Sequence, residues 1–300
     1  MKRISRNPLL LLAVLLPFAT TVPAGGGARV YDDLGSEVRL AAPAERIVSL
    51  SPHGTELLFA AGAGGRVVGA VEFSDYPAEA RAIPRVGSYT AFDLERVVAL
   101  KPDLVVGWYS GNGPAALERL RRLGFMVYVT ESRRFEDVLQ NIEALGALAG
   151  TDAHARATTT RLRDRLARLE ASHAGKAPLT VFYQVWHQPL MTVGGPHLVT
   201  RMIETCGGRN VFAPMDALAP TLDVEAVLAA DPDVIVASGM AEERPEWLDE
   251  WRRWPQLRAV REDNLFFIPP DLLQRPTPRL LDGAERLCEA LETVRRERNP

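Results

Sequence analysis

Residues 93–108 read DLERVVALKPDLVVGW, and residues 223–238 read DVEAVLAADPDVIVAS. Aligned without a gap, the two stretches share seven identical positions, among them two aspartates, a glutamate and a proline. Each copy starts with an aspartate that can cap a short apolar helix, and its proline ends that helix. The runs that follow, 104–108 and 234–237, predict strands buried on both faces, as in a parallel sheet. A helix–turn–strand unit repeated in each half of the chain predicts two α/β lobes.

The chain around the two copies continues this alternation of strands and helices. The predicted strands are residues 46–50, 66–71, 124–130, 179–184 and 265–268, and the predicted helices are residues 55–61, 135–149, 198–206 and 278–295. Residues 46–150 therefore form the predicted first lobe, and residues 176–300 form the second.

Residues 151–175 are predicted to join the lobes through one stiff helix. The stretch 152–173 has no glycine or proline, and its leucines recur at helical spacing. Such a helix is about 33 Å long, whereas a flexible linker would carry glycine and serine. The predicted fold class is α/β, with two Rossmann-like lobes joined by one long rigid helix. Ligands usually bind at interfaces such as the cleft between these lobes.

Residues 1–24 have the pattern of a cleavable secretory signal peptide, and residues 25–45 form an N-terminal extension. Three basic residues precede an apolar run at 9–18, and small residues at 22–24 suit a cleavage site. The run is about ten residues, too short to span a bilayer, and no cysteine follows it for lipid attachment. We expect an exported monomer in the periplasm, without a membrane anchor. Loss of the three basic residues moves the formal charge from −3 to −6, which leaves no basic stripe for nucleic acid.

Cys206 and Cys288 are the only cysteines, and an oxidising compartment favours a disulfide between them. The bond would close a loop of about 80 residues, worth at most about 4–5 kcal/mol in the chain-entropy model. Two buried free thiols are the alternative. A metal site is disfavoured because no histidine or further cysteine lies at ligand spacing beside either one.

Catalytic signatures are missing from the sequence. It has no dinucleotide fingerprint, phosphate-binding loop, nucleophile elbow or zinc-peptidase motif. His53 and His187 follow predicted strand ends, where ligands approach α/β sheets, but a hydrogen-bonded loop residue explains each of them better. With no recognisable nucleophile–base pair, the sequence favours a binding protein over an enzyme, and it predicts no metal and no catalytic cofactor.

Aromatic side chains in loops and at strand ends indicate a flat, bulky, partly apolar ligand. They are Phe73, Tyr76, Tyr89, Trp108, Tyr109 and Trp186. By contrast, Trp247, Trp251 and Trp254 recur at helical spacing, which predicts a helix face packed on the second lobe. Asp271 and Arg275 flank a proline-rich loop after the last strand, where they could clamp amides or carboxylates at the cleft mouth. A local surface ion pair is the alternative for these two residues.

These motifs resemble those of the class III periplasmic substrate-binding proteins, the iron-complex and cobalamin family, and are most similar to its cobalamin binders. The resemblance covers about residues 46–291 and treats 46–300 as one binding domain. It is carried by RIVSLSPHGTELLFAAGA at 46–63, FSDYP at 73–77, the first repeat, CGGRNVF at 206–212 and DLLQR at 271–275. CGGRNVF and the cysteine of ERLCEAL also match the places where cobalamin binders carry a disulfide.

The resemblance implies that the cleft holds one corrinoid, as a ligand and not as a catalytic cofactor. Trp108, Asp271 and Arg275 match ligand-contacting positions of the family. Phe73 replaces a tyrosine, and Tyr89 stands where the family often has a tryptophan. These matches and departures leave the exact corrinoid open.

One further departure concerns the second lobe. The family has a cleft tryptophan before the second repeat, whereas residues 216–225 here read DALAPTLDVE and offer only Leu218 and Ala219. Trp186 is the candidate to replace it.

Glu95 and Glu225 occupy the same position in the two copies of the repeat. The resemblance implies that they are surface glutamates, one in each lobe, that engage arginines on the permease dimer of an ABC importer. A roughly two-fold transporter requires the same charge twice. The alternative is that both are helix-start acids, worth about 0.3–1 kcal/mol each.

Other ligands and one other class of protein stay open. Haem is the nearest rival, with Tyr89, His53 or His187 as iron ligands. A ferric siderophore is third, because its sites usually need several arginines. A secreted α/β enzyme that uses the same cleft is the rival from another class.

Overall fold

The structure, a computed structural model, describes residues 27–239 and 243–298. The predicted signal peptide, residues 1–24, lies outside these ranges. The predicted extension contains an antiparallel hairpin of β1 (Ala28–Tyr31) and β2 (Glu37–Leu40). The hairpin docks on the first lobe, where the Asp33 carboxylate accepts hydrogen bonds from the Glu131 backbone N–H at 2.6 Å and the Asn141 side chain at 2.8 Å.

The first lobe is a four-stranded parallel sheet with helices on both faces. The strands are β3 (Ile47–Ser49), β4 (Val67–Ala70), β5 (Leu104–Trp108) and β6 (Val127–Thr130), in the spatial order β4-β3-β5-β6. The helices are α1 (Pro52–Ala60), α2 (Leu94–Ala99), α3 (Tyr109–Asn112), α4 (Pro114–Arg122) and α5 (Phe135–Ala149), with 3-10 turns at Gly64–Arg66 and Ala78–Ala82. Helices α1 and α5 pack on one face of the sheet, and α2 and α4 pack on the other.

The second lobe repeats this topology. Its parallel sheet has the order β10-β7-β11-β12, formed by β7 (Leu179–Gln184), β10 (Gly208–Asn210), β11 (Val234–Ala237) and β12 (Leu265–Phe267). A small hairpin, β8 (Trp186–His187) with β9 (Leu190–Met191), follows the first strand. The helices are α7 (Leu198–Thr205), α8 (Val224–Ala230), α9 (Arg258–Arg261), α10 (Pro270–Leu273) and α11 (Leu280–Arg298). Two parallel α/β lobes confirm the predicted fold class.

The repeated stretch forms equivalent elements in the two lobes, α2–β5 and α8–β11. The Asp93 carboxylate accepts hydrogen bonds from the backbone N–H groups of Glu95 and Arg96, and Asp223 accepts one from Ala226. Both aspartates are therefore helix caps, as predicted. Both strands lie at the centre of their sheets and are buried.

Helix α6 (Asp152–His173) runs between the lobes with the predicted bounds. Arg163 pairs with Glu136 at 2.7 Å and with Glu143 at 2.9 Å, which ties the helix to α5 of the first lobe. Arg165 pairs with Asp282 and Glu285, both on α11 of the second lobe. One apolar core also runs through both lobes. The helix is thus anchored on both sides, as a stiff connection requires.

Cys206 and Cys288 form a disulfide, which confirms that prediction. The bond joins the end of α7 to the middle of α11 and spans 82 residues. Both side chains are buried. Two free thiols, the alternative, are therefore excluded in this structure.

Three predicted helices need correction at their ends or in their type. Helix α1 begins at Pro52, three residues early, because the Ser51 side chain caps it and proline suits the first helical turn. Helix α11 begins at Leu280 and continues to Arg298. The tryptophan-rich segment Glu246–Arg253 is a 3-10 helix that follows Pro245, because short segments readily adopt this tighter form. No helix within residues 27–239 and 243–298 is long and apolar enough to cross a membrane.

Candidate ligand-binding site

The sheet order places a cavity between the lobes. In each lobe the second strand of the sheet lies on one side of the first, and the third strand lies on the other side. The direction of strand order therefore reverses beside the first strand, and a crevice opens there at the carboxyl edge of the sheet. In the first lobe this point lies between β3 and β5, and in the second between β7 and β11. The central cavity at these edges has a volume of about 360 Å³. It is lined by Pro52, His53, Phe73, Tyr89, Trp108, Gly239, Pro270, Asp271, Gln274, Arg275 and Pro276.

Trp108, the last residue of β5, forms an aromatic wall of the central cavity. Its ring centroid lies 5.0 Å from that of His53, which meets it edge-on, and 5.5 Å from that of Tyr89. Gly111 makes this packing possible, because a Cβ atom built there would lie 1.8 Å from the indole. Edge-on and tilted contacts of this kind stabilise aromatic clusters. The indole is therefore held in place before any ligand arrives.

Asn112 connects three segments that surround Trp108, and sequence reasoning missed it. Its side-chain oxygen accepts the Trp108 backbone N–H at 2.6 Å. Its amide N–H groups donate to the carbonyl oxygens of Leu50 at 2.9 Å and Tyr89 at 2.7 Å. Asn112 is buried. The only sequence signal was a polar residue beside a glycine, four residues after the end of a buried strand, where the chain turns.

His53 lies in the first turn of α1 and not in a loop, which corrects the sequence interpretation. Its Nε2 lies 3.1 Å from Thr130 Oγ1 and 3.3 Å from Ser51 Oγ. Burial, and then the positive charge of Arg275, lower the pKa of His53 to about 3. The imidazole is therefore neutral at ordinary pH and supports the Trp108 ring. The described part of the chain contains no group of three or more histidine, cysteine, aspartate and glutamate side chains that could hold a metal.

Phe73 projects at the mouth of the central cavity. It is 62% exposed, and its φ of 63° is a left-handed conformation that costs energy for a bulky residue. The next residue anchors this loop, because Ser74 is buried, accepts a hydrogen bond from Thr55 and accepts another at its carbonyl from Arg85. An apolar ring held in water by a strained backbone is a feature typical of binding sites.

Asp271 and Arg275 belong to a cluster that we term the charge ring, formed by Glu56, Asp271, Arg275 and Arg279. Arg275 pairs with Asp271 at 3.0 Å and with Glu56 at 3.5 Å. Arg279 pairs with Glu56 at 2.7 Å and with Asp271 at 3.4 Å. The local surface ion pair considered from the sequence is thus a partly buried network that crosses between the lobes.

Trp186 lies apart from the other five predicted ligand residues and does not line the central cavity. Hairpin β8–β9 directs it elsewhere, and its indole N–H donates to the Gln188 carbonyl at 3.0 Å. His187, its neighbour, stacks on Trp247 with centroids 5.4 Å apart. Trp251 packs in the core as predicted, whereas Trp247 stays partly exposed.

A second, smaller cavity lies beside the first and shares Trp108 with it. The side cavity has a volume of about 120 Å³ and shares Trp108, Gln274 and Pro276 with the central one. Leu218 lines it, from the segment that lacks the expected tryptophan. His197, the N-cap of α7, lines it too, and burial followed by the charge of Arg133 lowers its pKa to about 4.

Glu95 and Glu225 are exposed in the first turns of α2 and α8. A helix that joins parallel strands runs antiparallel to them, so both helices begin at the carboxyl edges that face the cavities. Neither carboxylate forms an ion pair within residues 27–239 and 243–298. Two free acids therefore flank the opening, one in each lobe, and their role in docking stays a prediction.

Comparisons with known proteins find similarity to periplasmic binding proteins. Residues 47–272 match the family model described as periplasmic binding protein. The chain is 36% identical over 256 residues to the vitamin B12-binding protein of Vibrio cholerae serotype O1, covering 85% of this chain and 92% of that protein. The crystal structure of the periplasmic vitamin B12 binding protein of Vibrio cholerae superimposes with a TM-score of 0.77 at 35% identity, over 84% and 98% of the two chains. A periplasmic haem-binding protein from Pseudomonas aeruginosa gives a TM-score of 0.73 at 25% identity, over 82% and 92%.

Proposed function

The chain belongs to the periplasmic binding protein family, and we propose that it captures cobalamin or a related corrinoid between its lobes and delivers it to an ABC importer. The observation that carries this proposal is the central cavity, in which the Tyr89–Trp108 wall faces Asp271 and Arg275. The relatives named vitamin B12-binding protein support the same ligand class.

The chemistry of a corrinoid suits such a cavity. A corrin is a flat, largely apolar macrocycle whose rim carries amide side chains. Aromatic faces such as Trp108 can cover the ring, while the carboxylate of Asp271 and the guanidinium of Arg275 can bond rim amides. Capture needs no reacting group, and the proposed role is binding without chemistry.

The proposed location and partner follow from the family. We assign the chain to the periplasm, reached through the signal peptide predicted at residues 1–24. The proposed partner is a permease dimer, which Glu95 and Glu225 would contact through one arginine-bearing surface each. The two acids lie at equivalent positions of the repeat, as a roughly two-fold partner requires.

Titration calorimetry with cyanocobalamin, cobinamide, haemin and a ferric siderophore tests the ligand class. We expect one-to-one binding of cyanocobalamin in the nanomolar range, about −12 kcal/mol. Trp108→Ala should weaken it by about 1–3 kcal/mol, as loss of a buried aromatic contact does. Tyr109→Ala is the matched control, because this adjacent aromatic is exposed and lines neither cavity.

The outcomes separate the rival ligands. Heat with haemin and none with cyanocobalamin would move the protein to the haem binders, and a Soret shift would confirm that. Heat with the siderophore alone would assign the third class. Turnover of any of the four compounds would return the secreted enzyme to consideration.

A further inference from the structure

The charge ring joins residues that lie far apart in the chain. Glu56 is on α1 of the first lobe, whereas Asp271, Arg275 and Arg279 follow β12 in the second. The Arg279 guanidinium meets Glu56 through two hydrogen bonds, Nε to Oε2 at 2.9 Å and Nη2 to Oε1 at 2.7 Å. Such a bidentate pair fixes orientation as well as distance.

Arg279 is held by the first lobe on two sides. The centre of the Tyr76 ring, in the first-lobe loop that also carries Phe73, lies 4.1 Å from the guanidinium carbon of Arg279. This is a favourable cation–π geometry. Burial lowers the pKa of Arg279, but the hydrogen bonds and attraction of Glu56 outweigh it and leave the pKa above its usual value. Arg279 therefore stays charged in the junction between the lobes.

Glu56 is the most buried member of the ring, with 2% of its side chain exposed. Both arginines contact it, and the only other carboxylate of the ring is the more exposed Asp271. Without its charge, two arginines would share Asp271 alone, and the junction would hold an excess cation in a low-dielectric site. Removing one partner of a buried pair is far more disruptive than removing a surface pair.

The ring divides into two members that line the central cavity and two that do not. Asp271 and Arg275 line it. Glu56 and Arg279 instead line a separate cavity of about 650 Å³ beside α6. Arg275 is further held by the Phe73 carbonyl oxygen at 3.4 Å. Glu56 and Arg279, which do not line the central cavity, therefore constrain the positions of Asp271 and Arg275, which do.

We propose that Glu56 and Arg279 are positioning residues that clamp the second lobe to the first and hold Asp271 and Arg275 in place for the ligand. The inference rests on the proposed function for the identity of the ligand, but not for the clamp itself. If the clamp fixes the angle between the lobes, most protein molecules are in the conformation that can bind the ligand. When the fraction of molecules in that conformation falls, the apparent affinity falls in proportion.

The clamp can be measured without a ligand. Nitroxide labels at Ala99→Cys and Ala229→Cys occupy equivalent exposed positions on α2 and α8. Pulsed electron–electron double resonance should give one narrow distribution of the distance between the two labels when the protein carries no other substitution. Glu56→Gln and Arg279→Gln should each broaden it, and the double variant should broaden it no more than the worse single one, because both remove the same contact.

Affinity is the second readout. Glu56→Gln should weaken cyanocobalamin binding about tenfold if the competent fraction falls to about one tenth. Glu79→Gln is the matched control, since this exposed acid lines the same cavity beside α6 and pairs with no cation among the described residues. It should change neither the distances nor the affinity.

Each outcome decides the proposal. Unchanged distances in Glu56→Gln would overturn the clamp, and broadened distances with unchanged affinity would overturn the positioning role. If the unaltered protein fails to bind cyanocobalamin, the proposed function is wrong while the label distances still decide the clamp. If Glu56→Gln does not fold, Arg279→Gln, at the more exposed partner, decides in its place.

Discussion

Residues 93–108 and 223–238 build the same helix, turn and strand, yet the strands end in different residues. In the first lobe β5 ends in Trp108, which lines both cavities. In the second, β11 is followed by Ser238, whose hydroxyl donates to the Ile268 carbonyl at 3.0 Å, and by Gly239, which offers backbone to the cavity. The shared residues build the framework, and the ends that differ give each lobe its own surface toward the ligand.

The shared aspartate after the proline shows how close the two frameworks are. The carboxylate of Asp103 accepts the backbone N–H groups of Glu45 and Arg46, just before β3. The carboxylate of Asp233 accepts the backbone N–H of Thr180, at the start of β7. In both lobes the repeat thus fixes the start of the neighbouring central strand. The environments differ, because Asp103 is exposed and Asp233 is buried with Arg258 and Arg298.

This difference in burial predicts that substituting the two equivalent aspartates lowers the free energy of unfolding by unequal amounts. Asp233→Ala should destabilise the protein by about 3 kcal/mol, because it leaves the Thr180 donors unpaired and removes a buried anion that Arg258 and Arg298 share. Asp103→Ala should cost about 1 kcal/mol, since water can solvate the freed N–H groups. Urea unfolding of the two variants measures both values. Equal losses would mean that burial does not distinguish the copies.

Acid should act on each lobe through one histidine: His53, which is buried, and His197, which is partly buried. The pKa is lowered to about 3 for His53 and to about 4 for His197, below the ordinary value of about 6.5. When folding lowers the pKa of a histidine, only the unfolded chain takes up the proton as pH falls below about 6.5. The folded state therefore has its full stability above pH 6.5 and loses stability as pH falls. Each histidine should cost about 1.6 kcal/mol of stability between pH 6.5 and pH 5.

Unfolding free energies across this range test both histidines. His53→Gln should remove one histidine's share of the pH dependence, and His197→Gln should remove the other. The contribution of Asp233 lies in a lower window. Burial opposes its ionisation, but hydrogen bonds from Thr180 and the arginines lower its pKa to about 2, so its stabilisation is lost only as pH falls below about 4. A slope unaffected by either substitution would contradict the assignment of these two residues.

The smallest effect on the protein alone is expected at Glu95 and Glu225. Glu95→Ala with Glu225→Ala should leave ligand affinity and melting temperature nearly unchanged, because each acid is worth about 0.3–1 kcal/mol to its helix. Uptake of cobalamin by reconstituted vesicles should fall, because charges across an interface set register and encounter rate. High salt should mimic the change.

A control and one decisive outcome belong to this double variant. Glu170→Ala removes an exposed acid from α6 that lines neither the central nor the side cavity, and should leave uptake normal. Single substitutions should cause part of the loss. Normal uptake by the double variant would show that both glutamates serve their helices alone.

Sequence patterns were sufficient where a local rule determines the structure. The bounds of α5, α6 and β7 match the predictions because periodicity, caps and apolar runs are local properties. The disulfide followed from an isolated cysteine pair. Five of the six predicted ligand residues line one cavity, although their contacts with a ligand stay predictions.

The charge ring could not be predicted from local rules. Glu56 and Arg279 are 223 residues apart, and only the packing of the lobes brings them together. The one sequence signal was a carboxylate inside the apolar stretch TELLFAAGA, a position that needs a partner when buried. The hairpin β1–β2 was missed for a similar reason, since its short strands are stabilised by docking on the first lobe.

The Cys206–Cys288 bond imposes an order on the biogenesis of the molecule. Every strand and helix of the first lobe is encoded before residue 150, whereas Cys288 lies in the last helix. Domains tend to fold as units from the N-terminus as the chain emerges. In a chain exported as proposed, the first lobe can therefore mature during translocation, while the second gains its covalent closure only after Cys288 has emerged. The part of the ligand site that the second lobe supplies is then the last to be cross-linked.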